Sequence, residues 1–424
     1  MIERIDDDHR AASVAPVRIG GLSAQFIFVT IILDTTAFGL VFPVIPTLIR
    51  IVAHSSMART AEIYGAFAML FGLIQLFASP MQGALSDHFG RRPVLVASSL
   101  GLGSDYLIMA LAPNLVWLLA GRLISAVAAG SVSASAAYVT DTSAPDRRAA
   151  RFGQLAAALA SGTAIGYGLG GLLTTIDLRA PFWAAGGLSI TNGLLAFVLL
   201  RESLPPERRT RFTWRGANPV GVIFGLCRSY PSLTRWIAVA LLIGLCTSGL
   251  AGLIVLFTGQ RFGWTPRDIG PFLAAFAVGL LLVQGVLVGP AVRRFGERVV
   301  LFGGLILVIA GLASVAIVST WQLFAASMVL ICLGSAANPV QVSLMAAAVG
   351  PFEQGRLQGA IRSAASLAGM IGPGLFAFTF AWGIGASRGR DLTGAPFVVA
   401  AGLLTLAAPI AWLATRRAQT RSVV

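Results

Sequence analysis

Three ionisable residues interrupt otherwise apolar stretches in the first half of the chain: Asp34, Asp105 and Arg122. Asp34 falls inside IGGLSAQFIFVTIILDTTAFGLVFPVIP (19–46). A carboxylate at bilayer depth costs about 2.5–3.5 kcal/mol on insertion scales, so a chain that keeps one there generally needs it for ions, protons or substrate. Asp34 precedes the outer end of its helix by about ten residues; Asp105 and Arg122 flank the Pro113-Asn114 turn at about eight residues each. At 1.5 Å rise per residue, all three are expected roughly 12–15 Å from one membrane surface. Asp105 and Arg122 lie on an antiparallel hairpin and could pair, which would also serve the plain structural purpose of fixing helix register. Two acids against one base leave one carboxylate without an evident partner in this half. Asp34 is the candidate, and such a group is suited to proton exchange.

Polar residues expected at similar depth are Gln75, Gln284, Asn338 and Gln341, each equally readable as interhelical glue. Phe38, Phe71, Trp183 and Phe257 are candidates to line an amphipathic pocket, or to pack. The loop GALSDHFGRRPVL (83–95) is the strongest short signal. Gly83 permits close helix approach, Gly90 suits a left-handed turn, and Pro93 suits the first turn of a helix. Asp87 could cap a helix or pair with an arginine, while Arg91 and Arg92 hold the loop at the surface. Together they suggest a latch whose charge pair breaks as two halves rock. A further stretch, GQLAAALASGTAIGYGLGG, carries Gly153, Gly162, Gly166, Gly168, Gly170 and Gly171. Bare glycine faces imply tight helix packing or a pliable seam.

These residues must be positioned by membrane helices. The chain has 424 residues, 56% hydrophobic and 11% charged, with mean hydropathy +0.82. Soluble domains are about a quarter charged, so an all-α integral membrane protein is expected. Stretches able to span a roughly 30 Å core fall near 20–44, 61–83, 93–112, 115–140, 150–174 and 181–200. A second set falls near 234–258, 268–291, 298–319, 321–349, 355–382 and 395–415. The expected organisation is a tail (1–18), a six-helix bundle (19–200), a linker (201–233), a second bundle (234–415) and a tail (416–424). All 31 cations are arginine. With both termini cytoplasmic, 22 fall in inner segments and 7 in outer loops, the remaining two being Arg122 and Arg362, so the positive-inside rule is satisfied. The net charge of +14 is then topological, and nucleic acid is not an expected partner. The N-terminal tail lacks the features of a signal peptide. Residues 218–229 suggest a short interfacial helix with Trp214 at headgroup level. Cys227, Cys246 and Cys332 show neither metal-ligand spacing nor a disulfide framework.

The halves repeat at an offset of 206 residues. GALSDHFGRRPVL aligns without gaps to GPAVRRFGERVVL (289–301), GYGL (166–169) to GPGL (372–375), and Gly153 to Gly359. Repeats of this kind are typical of transporters whose substrate site lies between the halves at mid-membrane.

The set of motifs resembles the major facilitator superfamily, and within it the twelve-helix drug:proton antiporters, most closely the tetracycline efflux pumps. The 83–95 loop matches the signature between the second and third helices. LAGRLISAVAAG (119–130) resembles the fourth-helix motif, and the glycine helix has the spacing of the antiporter motif. LDTTAFGLVFPVIPTL, SDYLIMAL, YVTDTSAPDRR and LFTGQRFGW are similar to the tetracycline pumps. The resemblance implies two pseudo-symmetric six-helix bundles, alternating access, and export of a small amphipathic compound against protons. It implies coupling roles for Asp34, Asp105 and Arg122, and a cytoplasmic gate of Gly83, Asp87, Gly90, Arg91, Arg92 and Asp141. It places Gln75 and Gln284 on the substrate pathway. It implies no cofactor, magnesium entering only as part of a chelated substrate, and a monomer in the inner membrane.

Departures bear on the substrate. Tyr167 replaces the motif proline, which survives in the repeat as Pro373. Leu307 stands where tetracycline pumps have an aspartate, and Leu280 where they can carry a histidine. Arg362 adds a cation to the eleventh helix, either as a pathway residue or snorkelling to the surface. A less acidic second half leaves room for a neutral or anionic substrate. Uptake by proton symport, or specialised metabolite export on the same fold, is the alternative. An enzyme does not fit: Gly101-Leu102-Gly103-Ser104-Asp105 lacks the last glycine of a membrane aspartyl protease, His9, His54 and His88 lie outside the helices, and no Walker or zinc motif occurs.

Overall fold

The structure is a computed structural model describing residues 21–210, 231–347, 354–385 and 392–420. The N-terminal tail, Trp214, Cys227 and the suggested 218–229 helix lie outside the described residues. Among the described residues, eleven helices are long and apolar enough to cross a membrane. They are Met57–Phe89, Arg91–Leu111, Leu115–Thr142, Ala150–Leu173 and Ala180–Leu199, then Leu233–Phe262, Pro266–Phe295, Glu297–Ile317, Trp321–Ala347, Leu357–Gly385 and Ala395–Thr415. A bent pair, Gln25–Val41 and Ile45–Val52, makes the twelfth, with 43° between its parts. Numbered in chain order, the bent pair is the first span. No strand occurs among the described residues. This is a multi-pass membrane protein of two six-helix bundles.

Local chemistry sets the boundaries. The Asn114 carboxamide oxygen accepts from the Val116 and Trp117 N–H groups and starts the fourth span. Thr320, 206 residues on, caps the tenth in the same way. Thr265 and Asp268 form a reciprocal capping box at the eighth. The fourth span breaks at Ala129-Gly130, between Leu115–Ala128 and Ser131–Thr142. The tenth breaks at Ser335-Ala336, the same place in the repeat. A π-helical turn, Val283–Leu287, interrupts the eighth.

Spans 1 and 5, 3 and 6, 7 and 11, and 9 and 12 pack within the bundles; spans 2 and 11, and 5 and 8, join them. Glycines report how closely. A Cβ on Gly39 would meet the Gly166 Cα at 2.8 Å, and one on Gly372 the Leu245 carbonyl oxygen at 2.7 Å. Those two contacts are also related by 206 residues. Between the bundles, Gly65 packs on Ala377, Gly72 on Met370 and Gly171 on Gly270. Toward the end bearing the 83–95 loop (the loop end), Gly83, Gly153 and Gly285 have nothing within 4 Å of such a Cβ. The seams are therefore closed at the far end and open at the loop end.

Candidate transport site

Asp34 is 5% exposed and sits in the interior of the first bundle. Ser99 of the third span donates to both its oxygens, at 3.1 and 3.2 Å. Asn192 of the sixth span donates to Oδ1 at 2.8 Å and to the Thr30 carbonyl at 3.1 Å. Ser131, first residue after the break in the fourth span, stands beside the carboxylate. Every one of these partners is neutral.

Asp105 is wholly buried, and Arg122 donates from Nη2 to its Oδ2 at 2.8 Å. A glycine makes room for the pair: a Cβ on Gly121 would lie 2.6 Å from the other Asp105 oxygen. The Arg122 guanidinium also lies 6.0 Å from the centre of the Phe71 ring. The hairpin pairing expected from sequence is thus made.

The common depth is not. Ser99 is level with Asp34, and Asp105 lies six residues beyond Ser99 on the third span, about 9 Å nearer the far end at 1.5 Å per residue. The misplacement comes from the first span. Pro43 and Pro46 suggest its end, but the chain only bends there and continues helically to Val52, with Pro46 in the first turn of the new segment.

The remaining pathway candidates divide. Phe38 is 43% exposed and stands in a row with Phe42 and Tyr167, ring centres 5.6 and 5.4 Å apart. Gln75 and Asn338 are half-buried; Gln284, on the π-helical turn, and Arg362 are exposed. Gln341 is instead buried in the second bundle with its amide 3.9 Å from the Met345 sulfur. Phe257 is buried too, in a ring cluster with Phe262, Phe324 and Phe397. Trp183 is exposed on the side of the sixth span turned away from buried Phe182, Ala185 and Ser189. These last three do not line a pathway; apolar surroundings or helix face, invisible in composition, decide it.

At the loop end, Arg91 binds Asp87 at 2.6 Å, Asp141 at 3.1 Å and the Ser86 hydroxyl at 3.1 Å. The Arg91 and Arg92 backbone N–H groups donate to the two oxygens of Glu202, at 2.8 and 3.2 Å, so a carboxylate caps the third span. Gly90, at φ 107°, fits there because a side chain would collide with Glu202. Arg92 stacks over Phe197 at 5.0 Å. All these partners belong to the first bundle or, in Glu202, to the linker just after it, so the latch is not, as arranged here, a charge pair across the halves. The separation at the loop end explains why.

The glycine helix serves two surfaces. Gly162, Gly166 and Gly170 press on the backbone of the first span, Gly171 on the eighth, and Gly153 on nothing. Residues that sequence reasoning missed are Ser99, Ser131, Asn192 and Glu202. Isolated serines and an asparagine in apolar spans give no distinctive signal; Glu202 is hidden in a charge-rich linker. Among the described residues no three His, Cys, Asp or Glu side chains could hold a metal ion.

The Major Facilitator Superfamily family model matches residues 27–288 and again 261–423. The chain belongs to this superfamily. Its curated relatives include the class C tetracycline resistance protein of Escherichia coli, 36% identical across 81% of this chain and 86% of the relative. The class B protein of Escherichia coli is 31% identical across 84% and 88%. Multidrug resistance protein 2 of Bacillus subtilis is 28% identical across 61% and 64%. The likeness to tetracycline resistance proteins expected from the motifs is borne out, and the chain is a transporter of this superfamily, not an enzyme. Among solved structures, the human organic anion transporter MFSD10 superposes with TM-score 0.69 at 23% identity, covering 92% of this chain and 98% of its own. A bacterial homologue of the human lysosomal transporter Spinster, inward-facing and occupied, superposes with TM-score 0.73 at 17% identity, covering 93% and 96%. These two show the fold.

Proposed function

We propose that this chain exports a small amphipathic compound from the cytoplasm in exchange for protons, as a monomer in the inner membrane. The observation that carries the reading is Asp34: a buried carboxylate held only by neutral donors, beside an Asp105–Arg122 pair that neutralises itself. A group held in that way can gain or lose a proton without leaving an opposite charge stranded. The arginine bias supports a cytoplasmic loop end, and on that orientation the structure corresponds to an inward-open state ready to load substrate. Phe38, Phe42, Phe71, Tyr167, Gln75 and Gln284 would receive an amphipathic molecule, with Asn338 and Arg362 facing it from the second bundle. Rocking would close the loop-end seams and open the far end, where Asp34 takes its proton. The latch of Asp87, Arg91, Asp141 and Glu202 would keep the first bundle's inner end rigid during that motion.

The substrate is proposed to be neutral or anionic. Leu307 and Leu280 offer a metal-chelated cation nothing, and Arg362 opposes it. Magnesium is therefore needed at most as part of a substrate, and no cofactor is invoked. Everted vesicles acidified inside and carrying a pH-sensitive dye test this. Adding a transported compound should release protons, and neutral and anionic amphipaths should release more than tetracycline with magnesium. A larger response to the chelated cation would reject the substrate class. No response from any compound in an acid-loaded vesicle would reject antiport and favour proton symport.

A further inference from the structure

The break in the fourth span is joined to the second span by one buried side chain. Gln82 is 7% exposed, and its amide nitrogen donates to the Val127 carbonyl, which the break at Ala129-Gly130 frees from helical bonding. Gly130 has an ordinary φ of −95°, so backbone geometry does not require glycine. Space does: a Cβ there would stand 3.0 Å from the Gln82 Cβ and collide with its amide. The next residue on the second span, Gly83, faces the open seam.

The segment beyond the break, Ser131–Thr142, begins at the Asp34 carboxylate and ends beside the latch. Ser131 stands beside Asp34, and Asp141 bonds Arg91. Its twelve residues form a rod of about 18 Å. The repeat supplies a control. The tenth span breaks at the equivalent place, yet the counterparts of Asp34, Gln82, Gly130 and Ser131 are Ala240, Val288, Ala336 and Ala337. All four components are replaced together, while the break itself persists.

We infer that Gln82 is a positioning residue that transmits the state of Asp34 to the second span, and through it to the seam between the halves. This rests on the proton-coupled reading above. When Asp34 exchanges its proton, Ser131 and the rod shift, and the Gln82 amide carries the shift into the helix that packs on the eleventh span. Gln82 itself touches neither proton nor substrate. The ionisable groups near Asp34 are Tyr106 and Asp105 on the third span and Arg122 on the fourth. The sixth span has none, and the fifth has Arg148 and Arg151 at its loop end and Tyr167 against Phe42.

Spin labels at Phe89 and Phe295, exposed equivalents at the loop end of the two bundles, would read the opening directly. With Cys227, Cys246 and Cys332 replaced by serine, the Phe89→Cys/Phe295→Cys distance is measured at acid and alkaline pH. The distance distribution should shift with pH, and the shift should vanish in Asp34→Asn. Gln82→Leu should lose the shift while still binding substrate, and Gly130→Ala, which expels the amide without touching Gln82, should do the same. A pH response retained in both substrate-binding variants overturns the inference. A parent protein with no pH response, or one unaffected by Asp34→Asn, overturns instead the proton-coupled reading beneath it.

Discussion

The two bundles share one backbone plan and differ in what fills it. On the third and fourth spans, Asp105 fits because Gly121 lacks a side chain. At the equivalent crossing of the ninth and tenth spans the glycine has changed sides: Gly311 replaces the acid and packs against the Ser327 carbonyl oxygen. Arg122 becomes Met328 and Ser99 becomes Leu305; in the sixth and twelfth spans, where Ala180-Pro181-Phe182 matches Ala395-Pro396-Phe397, Asn192 becomes Ala407. The charged interior of the first bundle is thus an apolar core in the second, rich in Leu, Phe and Ala. The loops diverge likewise. Gly90 and Gly296 both take positive φ, but only Gly90 has a carboxylate against it. One backbone therefore carries either arrangement, and the difference rests on side chains: an ionisable interior in the first bundle and an apolar one in the second, the former being the coupling bundle under the function proposed above.

Copying second-bundle residues into the first is the sharpest way to break this comparison. Arg122→Met strands Asp105 and should lower stability by about 3–5 kcal/mol, the usual effect of breaking a buried pair. Asp105→Gly added to it should recover most of the loss in thermal unfolding, yet leave transport abolished. Recovery of transport would make the pair a register device only. Next, Gly90→Ala should cost more than the about 1–3 kcal/mol of backbone strain that Gly296→Ala costs alone, because Glu202 must also withdraw from the third-span N–H groups. Equal losses would show that the Glu202 cap contributes nothing. The smallest effect is expected of Asn192→Ala, which removes interhelical hydrogen bonds worth about 0.6–2 kcal/mol in membranes. It should weaken proton-driven transport more than substrate exchange, which needs no net proton movement; equal slowing of both would reduce Asn192 to packing.

Much of this was legible in the residues. Hydropathy and arginine placement located twelve spans because bilayer thickness fixes helix length, and the Asp105–Arg122 pair followed from equal spacing about a turn. The 206-residue offset anticipated the matched breaks, caps and glycine contacts. What escaped reading depended on geometry between distant spans. Asp34 proved deeper because two prolines bent a helix without ending it. Gln341 and Phe257 look like pathway residues until helix rotation buries them. Gln82, Ser131 and Asn192 are common residue types in membrane helices, and only the crossing of the second, fourth and sixth spans gives them meaning.

The central claim is that Asp34, and nothing in the second bundle, carries the exchanged proton. Detergent-solubilised protein in unbuffered solution, with a pH indicator, measures this directly when a transported compound is added. Wild-type protein should release protons on binding, and Asp34→Asn should bind the compound and release none. Undiminished proton release from Asp34→Asn would contradict the assignment and move the coupling site elsewhere.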